Sequence, residues 1–266
     1  MKKTLFLSAS AAFLLTACGA EEASLSAEQV LTESAEAMGN VDSYTVTTNM
    51  DQSMEMAGEE SMDYQTISRL ELTKNPLTYT EKTEMTMADG AEKLAFTSYF
   101  HEEQGFFLED PLLGGWVKLP EETHEEMLAL AGLQMSPEEQ LNQLQEFVEE
   151  TKIEETNSEY ILSLSGENFD VQQLMEQVSG LGEMEEMGEV MEDVEIQQFD
   201  YTVHIEKESF RQTGAAIDMG MLMDTMGQMS AMEQTITMEM KNFDSIDPIS
   251  IPAEVIEEAE EVQASF

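Results

Sequence analysis

The sequence predicts an α+β fold in which long antiparallel strands dominate and a few helices interrupt them. Two patterns carry that expectation. Apolar and polar residues alternate over most of the chain, the period-two signature of half-buried strands. This alternation is interrupted where apolar residues recur every three or four positions, as on one face of a helix. A third observation bounds the fold: Cys18 is the single cysteine, so no disulfide can form within the chain, and an apolar core must hold it together.

The N-terminus reads first as a leader. Lys2 and Lys3 precede an apolar run from Leu5 to Leu15, and Thr16-Ala17 stand before Cys18. A basic start, an apolar stretch of about a dozen residues and small residues at a cleavage point form a secretory signal. The stretch is too short to cross a bilayer as a helix, which takes roughly 20 residues. Leu15-Thr16-Ala17-Cys18 resembles a bacterial lipobox. Residues 1–17 are therefore expected as a signal peptide, with Leu15, Thr16 and Ala17 recognised by the peptidase and Cys18 as the lipid attachment site. Residues 18–25 follow as a lipidated tether, 26–252 as one domain, and 253–266 as an acidic tail. The expected location is the extracellular face of the cell membrane, anchored by lipid.

A helix is expected from Ser26 to Gly39. Ser26 can cap it, Glu28 and Gln29 occupy its first turn, Val30, Leu31, Ala35 and Met38 recur on one face, and Gly39-Asn40 ends it. The period then changes. Tyr44, Val46, Thr48, Met50, Met54 and Met56 share one parity, and further strands are expected near 62–73, 77–87, 92–100, 105–108 and 116–119. Ala88-Asp89-Gly90 marks a hairpin between two of them. Helical spacing returns between Pro120 and Glu149, where Ser136-Pro137-Glu138-Glu139 carries a serine cap and a proline at the first helical position. A strand near 160–165 and a helix near 170–178 follow. Residues 180–193 read as a loop, or as an extension of that helix. In the final third Phe199, Tyr201, Val203 and Ile205 share a face; Met219, Met221 and Met223 repeat the pattern, as do Ile236, Met238 and Met240. The segment 242–252 closes the domain in extended form.

Composition narrows the partners. The formal charge is −45, with 11 basic side chains against 56 acidic ones, and loss of Lys2 and Lys3 with the leader makes the balance more negative. Nucleic acid needs clustered Lys and Arg and is excluded as a partner. The charge keeps the domain solvated and off an anionic membrane surface, and salt relieves its self-repulsion; a salty or alkaline habitat would suit it. A hydrophobic fraction of 41% is that of a globular chain.

Lipobox, tether, N-terminal helix ending before Tyr44, long amphipathic strands, an inserted helical pair and the closing Asn242-Phe243-Asp244-Ser245-Ile246-Asp247-Pro248 through Pro252 together resemble lipoproteins of low-GC Gram-positive bacteria. Their domain is similar to the LolA/LppX-type lipoprotein carriers. The resemblance covers residues 26–252, and outside the lipobox its motifs are diffuse. It implies a strongly curved antiparallel sheet, a half-barrel, with helices closing over the concave face. It also implies an apolar cavity beneath those helices that holds acyl chains or lipoproteins.

Signatures of catalysis are missing: no nucleophile elbow and no phosphate-binding glycine loop occurs. The run beginning His124-Glu125 lacks the second histidine of a zinc protease helix, and His101, His124 and His204 read as surface residues. No calcium loop occurs, and the acidic runs 183–186 and 257–261 read as solvated faces. Met219, Met221 and Met223 could present thioethers to copper, but alternation also places them in a core. The expectation is a protein that is no enzyme and carries neither cofactor nor metal. Methionine is abundant, at 22 residues against 12 Phe and one Trp, and flexible thioethers suit adaptable apolar pockets. Met54, Met56, Met85, Met87, Met219, Met221, Met223, Met238 and Met240 are the candidate lining of an apolar ligand site. Parity alone leaves cavity lining and core filling open. The expected partners are the membrane, through the N-terminal lipid, and a lipid or other apolar ligand; envelope proteins bound by a filled scaffold are the alternative.

Overall fold

The computed structural model describes residues 25–56, 61–87, 93–112, 114–120, 136–166, 194–225 and 228–261. Their architecture is a 12-stranded open sheet with two helices packed on one face, within the α+β class that the sequence predicts. Helix α1 (Ala27–Gly39) leads into β1 (Ser43–Met56), β2 (Met62–Lys74), β3 (Leu77–Met87), β4 (Lys93–His101), β5 (Gly105–Glu109) and β6 (Trp116–Lys118). Helix α2 (Pro137–Leu144) runs into a 3₁₀ turn, Gln145–Phe147. The remaining strands are β7 (Lys152–Glu155), β8 (Glu159–Ser165), β9 (Val194–Glu206), β10 (Gln212–Thr225) and β11 (Gln228–Lys241); α3 (Ala253–Glu258) and β12 (Glu260–Glu261) close the chain.

The strand order is β12-β6-β5-β4-β3-β2-β1-β11-β10-β9-β8-β7. Each half of the chain is a meander, and β1 pairs with β11 antiparallel from Thr45↔Lys241 to Met56↔Ser230, joining the halves at the centre. All neighbours are antiparallel except β12 and β6. The Ala88-Asp89-Gly90 hairpin signal lies outside the described residues, but the strands that it joins pair as far as Thr86↔Lys93.

Helix α1 forms for the reasons its sequence offers. Ser26 Oγ accepts from the Gln29 N–H at 3.2 Å while Gln29 Oε1 accepts from the Ser26 N–H at 3.0 Å, a complete capping box. The helix ends at Gly39-Asn40, as expected: Asn40 is right-handed at φ −88°, and its side-chain amide donates to the Glu36 carbonyl at 2.8 Å. The expected serine cap of α2 is corrected. Ser136 makes no side-chain capping bond, and its carbonyl instead accepts from the Glu139 and Gln140 N–H groups. Proline at the first helical position needs no partner for a missing N–H, so the helix starts there regardless.

The main core lies between these helices and one end of the sheet. Val30, Leu31 and Met38 of α1 and Leu141 and Leu144 of α2 meet Tyr44, Leu72, Phe100, Leu162, Val203 and Ile205. Tyr79 stacks on Phe100 at 5.2 Å between centroids. On the opposite face the chain after β11 runs as a strap. Asn242 and Asp244 adopt left-handed backbone, at φ 57° and 54°, which their short polar side chains tolerate. The Asp244 N–H donates to the Ser43 carbonyl at 2.8 Å. Further on, Ile251 and Val255 bury against Phe107 in a second small core with Tyr99 and Trp116. The segment beyond Pro252, expected as an acidic tail, thus carries α3 and β12.

Candidate functional site

Strand register decides which side chains share the helix-covered face. Tyr44 belongs to the core beneath α1, so the even-numbered residues of β1 face that way. Pairing carries the face outward. Met54 stands opposite Met62 on β2 and Met232 on β11, and Met50 stands opposite Thr66 and Ile236. Thr66 pairs with Met85 and Tyr64 with Met87 on β3, while Gln234, Met232 and Ser230 pair with Met219, Met221 and Met223 on β10. Ala215 pairs with Met238, and Val46 with Met240. All nine methionines singled out in the sequence therefore lie on one face of the sheet. Met50, Met62 and Met232 join them there. Met50 shows the right parity in sequence, whereas Met62 and Met232 gain their place through strand pairing.

Burial grades along this face. Met240 is 5% exposed and belongs to the packed core, whereas Met56 at the far end is 37% exposed. Between these extremes Met54, Met85, Met87, Met219, Met221, Met223 and Met238 are half-buried. The core end is filled, and the far end is an apolar surface of flexible side chains. Ile196, Phe199 and Tyr201 on β9 extend it, with a bulge between Gly220 and Met221 that admits Gln197 as an extra residue and shifts the inward parity of β9 from odd to even numbers. A hollow of about 530 Å³ lies along this bulge, lined by Ser165, Gly166, Ile196, Gln197, Phe199 and Asp200.

Desolvation marks the same face. Burial pushes the Tyr201 hydroxyl up to about 12. Tyr44 and Tyr79 are held higher above the ordinary phenol value, first by burial and then by the carboxylates of Glu138 and Glu81 respectively. Between the apolar rows stands a polar one. The Gln52 amide donates to Met232 Sδ at 3.1 Å, Gln234 to Met50 Sδ at 2.8 Å, and the Tyr64 hydroxyl to Met62 Sδ at 3.6 Å.

The opposite face is polar. A shallow depression of about 310 Å³ in the middle of the sheet is lined by residues 51–53 of β1, 63–65 of β2 and 233–235 of β11. Two of its carboxylates are engaged: Ser53 donates to Asp63 at 2.6 Å and Gln65 to Asp51 at 3.0 Å. His101 Nδ1 accepts from the Glu103 N–H at 3.1 Å, and His204 lies 3.7 Å from Glu159 at the surface. Among the described residues no group of three or more His, Cys, Asp or Glu is placed to hold a metal ion. Leu15, Thr16, Ala17, Cys18, His124, the helix expected near 170–178 and the acidic stretch 180–193 lie outside the described residues.

Comparison with known proteins adds the following. The profile of a family of unknown function, DUF6612, matches residues 26–260. No curated protein matches the chain. Among solved structures it is similar to LprF from Mycobacterium bovis, at 12% identity over 86% of this chain and 96% of that one, with a TM-score of 0.40. It is also similar to the LolA superfamily protein NE2245 from Nitrosomonas europaea, at 11% identity over 88% and 98%, with a TM-score of 0.19.

Proposed function

The chain belongs to the DUF6612 family, and we propose that it is an extracellular, lipid-anchored lipoprotein that shelters an apolar ligand, a lipid or acyl chain, between its sheet and covering helices. One observation carries the reading: strand register gathers the methionines of β1, β2, β3, β10 and β11 on a single face whose far half is only partly buried. Unbranched thioethers re-pack around guests of varied shape at little cost, and an apolar surface dotted with a few polar groups is the ordinary make-up of a small-molecule site. The role needs no catalytic group. The anchor in this reading is Cys18, and among the described residues no helix is long and apolar enough to cross a membrane.

Two measurements test it. Native mass spectrometry of the chain carrying Cys18→Ser, purified without detergent, should reveal adducts of lipid mass, and the uncharged dye N-phenyl-naphthylamine should brighten on mixing and be displaced by extracted lipid. Clean spectra together with a silent dye would instead favour an envelope scaffold with a filled core. Labelled palmitate should mark the unaltered chain and not the Cys18→Ser chain; equal labelling would remove the anchor from the proposal.

A further inference from the structure

Resting on the apolar-ligand reading above, we infer that the ligand is an uncharged acyl lipid of the monoacylglycerol kind, whose ester and hydroxyl groups meet Gln52, Gln234 and Tyr64 while its chain lies along the methionines.

The first ground is the polar row itself. Gln234, Gln52 and Tyr64 stand side by side on β11, β1 and β2, the three central strands. Apolar rows flank them: Ile236 and Met50 on one side, Met232, Met54 and Met62 on the other. All three donors turn to thioether sulfur, at 3.1 Å from Gln52, 2.8 Å from Gln234 and 3.6 Å from Tyr64. Thioether is a weak acceptor, and an amide carries two donors and an acceptor. Among the described residues the carbonyl oxygens of both amides accept nothing. Thr66, two residues from Tyr64 on the same strand, has a buried hydroxyl oxygen with no partner among the described residues. A buried hydroxyl without a partner is costly, and thioether is a poor acceptor for the three donors beside it, so this row favours a guest that supplies carbonyl and hydroxyl oxygens.

The second ground is charge. The chain has 11 basic residues; Lys2 and Lys3 lie in the leader, and the other nine are all described. Arg69, Lys82, Lys93, Lys118, Lys152 and Lys241 have the parity of the opposite face. Lys74 is held by Glu138, Lys207 by Glu155, and Arg211 by Asp244. The stretches 121–135 and 167–193 contain no Lys or Arg. No cation is therefore available to a carboxylate or phosphate head. A cationic head fares no better at the polar row. Among the described residues of β1, β2, β3 and β11, the carboxylate on this face is Glu81 of β3, which lies opposite Leu70, six residues along β2 from Tyr64, a separation of roughly 20 Å. Among the described residues a charged head taken out of water there meets no opposite charge, whereas a neutral one exchanges water for amide and hydroxyl partners.

The test compares heads on a common chain length, with the unaltered full chain: mono-oleoylglycerol, oleate and oleylamine compete for N-phenyl-naphthylamine near neutral pH. The neutral lipid should displace the dye at least about tenfold more tightly than either ion, the scale of one or two well-made hydrogen bonds. Equal displacement by all three, or a preference for either ion, overturns the inference and leaves the apolar-ligand reading standing. Failure of the dye itself to bind removes that reading first. Gln52→Met with Gln234→Met should erase the neutral-head preference while dye binding persists. Should that pair not fold, Gln52→Met alone should at least halve the preference, and an unchanged preference in either folded variant also overturns the inference.

Discussion

Lys74 Nζ stands 3.1 Å from Oε1 of Glu138 and 3.0 Å from the carbonyl oxygen of Met38, so one ammonium joins the end of β2 to both α1 and α2. The pair is only partly screened, at 20% and 27% side-chain exposure. Lys74→Met should lower stability by about 1–3 kcal/mol, because it strips a partner from Glu138 and from a helix-end carbonyl. A urea melt checks this; an unchanged midpoint would show that water replaces the ammonium without loss.

Gly214 is a close-approach position. A Cβ there would sit 2.8 Å from the backbone oxygen of Met238, whereas at Gly220 it would meet Gln198 Cβ at 3.6 Å, an ordinary contact. Gly214→Ala should therefore cost about 1–3 kcal/mol by forcing β10 from β11, and Gly220→Ala should stay within about 0.5 kcal/mol. Denaturant midpoints at unchanged slope distinguish the two.

The strap should be coupled to the single tryptophan. Val255 is 2% exposed and packs with Phe107 beside Trp116. Val255→Ala should cost on the order of 1–3 kcal/mol, and Val255→Asp should release α3 and shift Trp116 emission to the red. Identical emission from the Asp variant and the parent would separate Trp116 from the strap.

Alkaline pH should destabilise the fold. Burial pushes Tyr201 from 10.0 up to about 12, and Tyr44 and Tyr79 shift the same way. A raised phenol favours the protonated native form, so this contribution is fully present below pH 10 and is lost as pH rises through about 12. Urea midpoints measured at pH of about 9 and about 11.5 should fall, and less steeply in Tyr201→Phe. A midpoint independent of pH across that window would contradict the burial of these hydroxyls.

Much of this arrangement is legible in local pattern. The parity of Tyr44 through Met56, and of Met219 through Met223, names the inward residues of β1 and β10 because a strand alternates its side chains strictly. The capping box of Ser26 and Gln29 is equally local. The inward parity of β9 is legible from Phe199 to Ile205 and fails before Gln198, because the bulge at Gln197 arises from pairing with β10. Ser136 shows the limit of composition: a suitable cap residue still needs a backbone that turns its hydroxyl toward the helix. Met62 and Met232 give no strong signal of their own and join the candidate site only because both pair with Met54.

By itself the sequence determined the long strands, the helices α1 and α2, nine of the inward methionines, the acidic balance and the expectation of a lipid-bearing Cys18. These depend on each residue and its near neighbours. The tertiary structure alone decided that β1 meets β11, that the strap covers Phe107, that Lys74 reaches Glu138, and that Gln52, Gln234 and Tyr64 form one row. Such contacts join residues far apart in the chain, and their partners are chosen by which faces can be buried together, a choice no local period encodes.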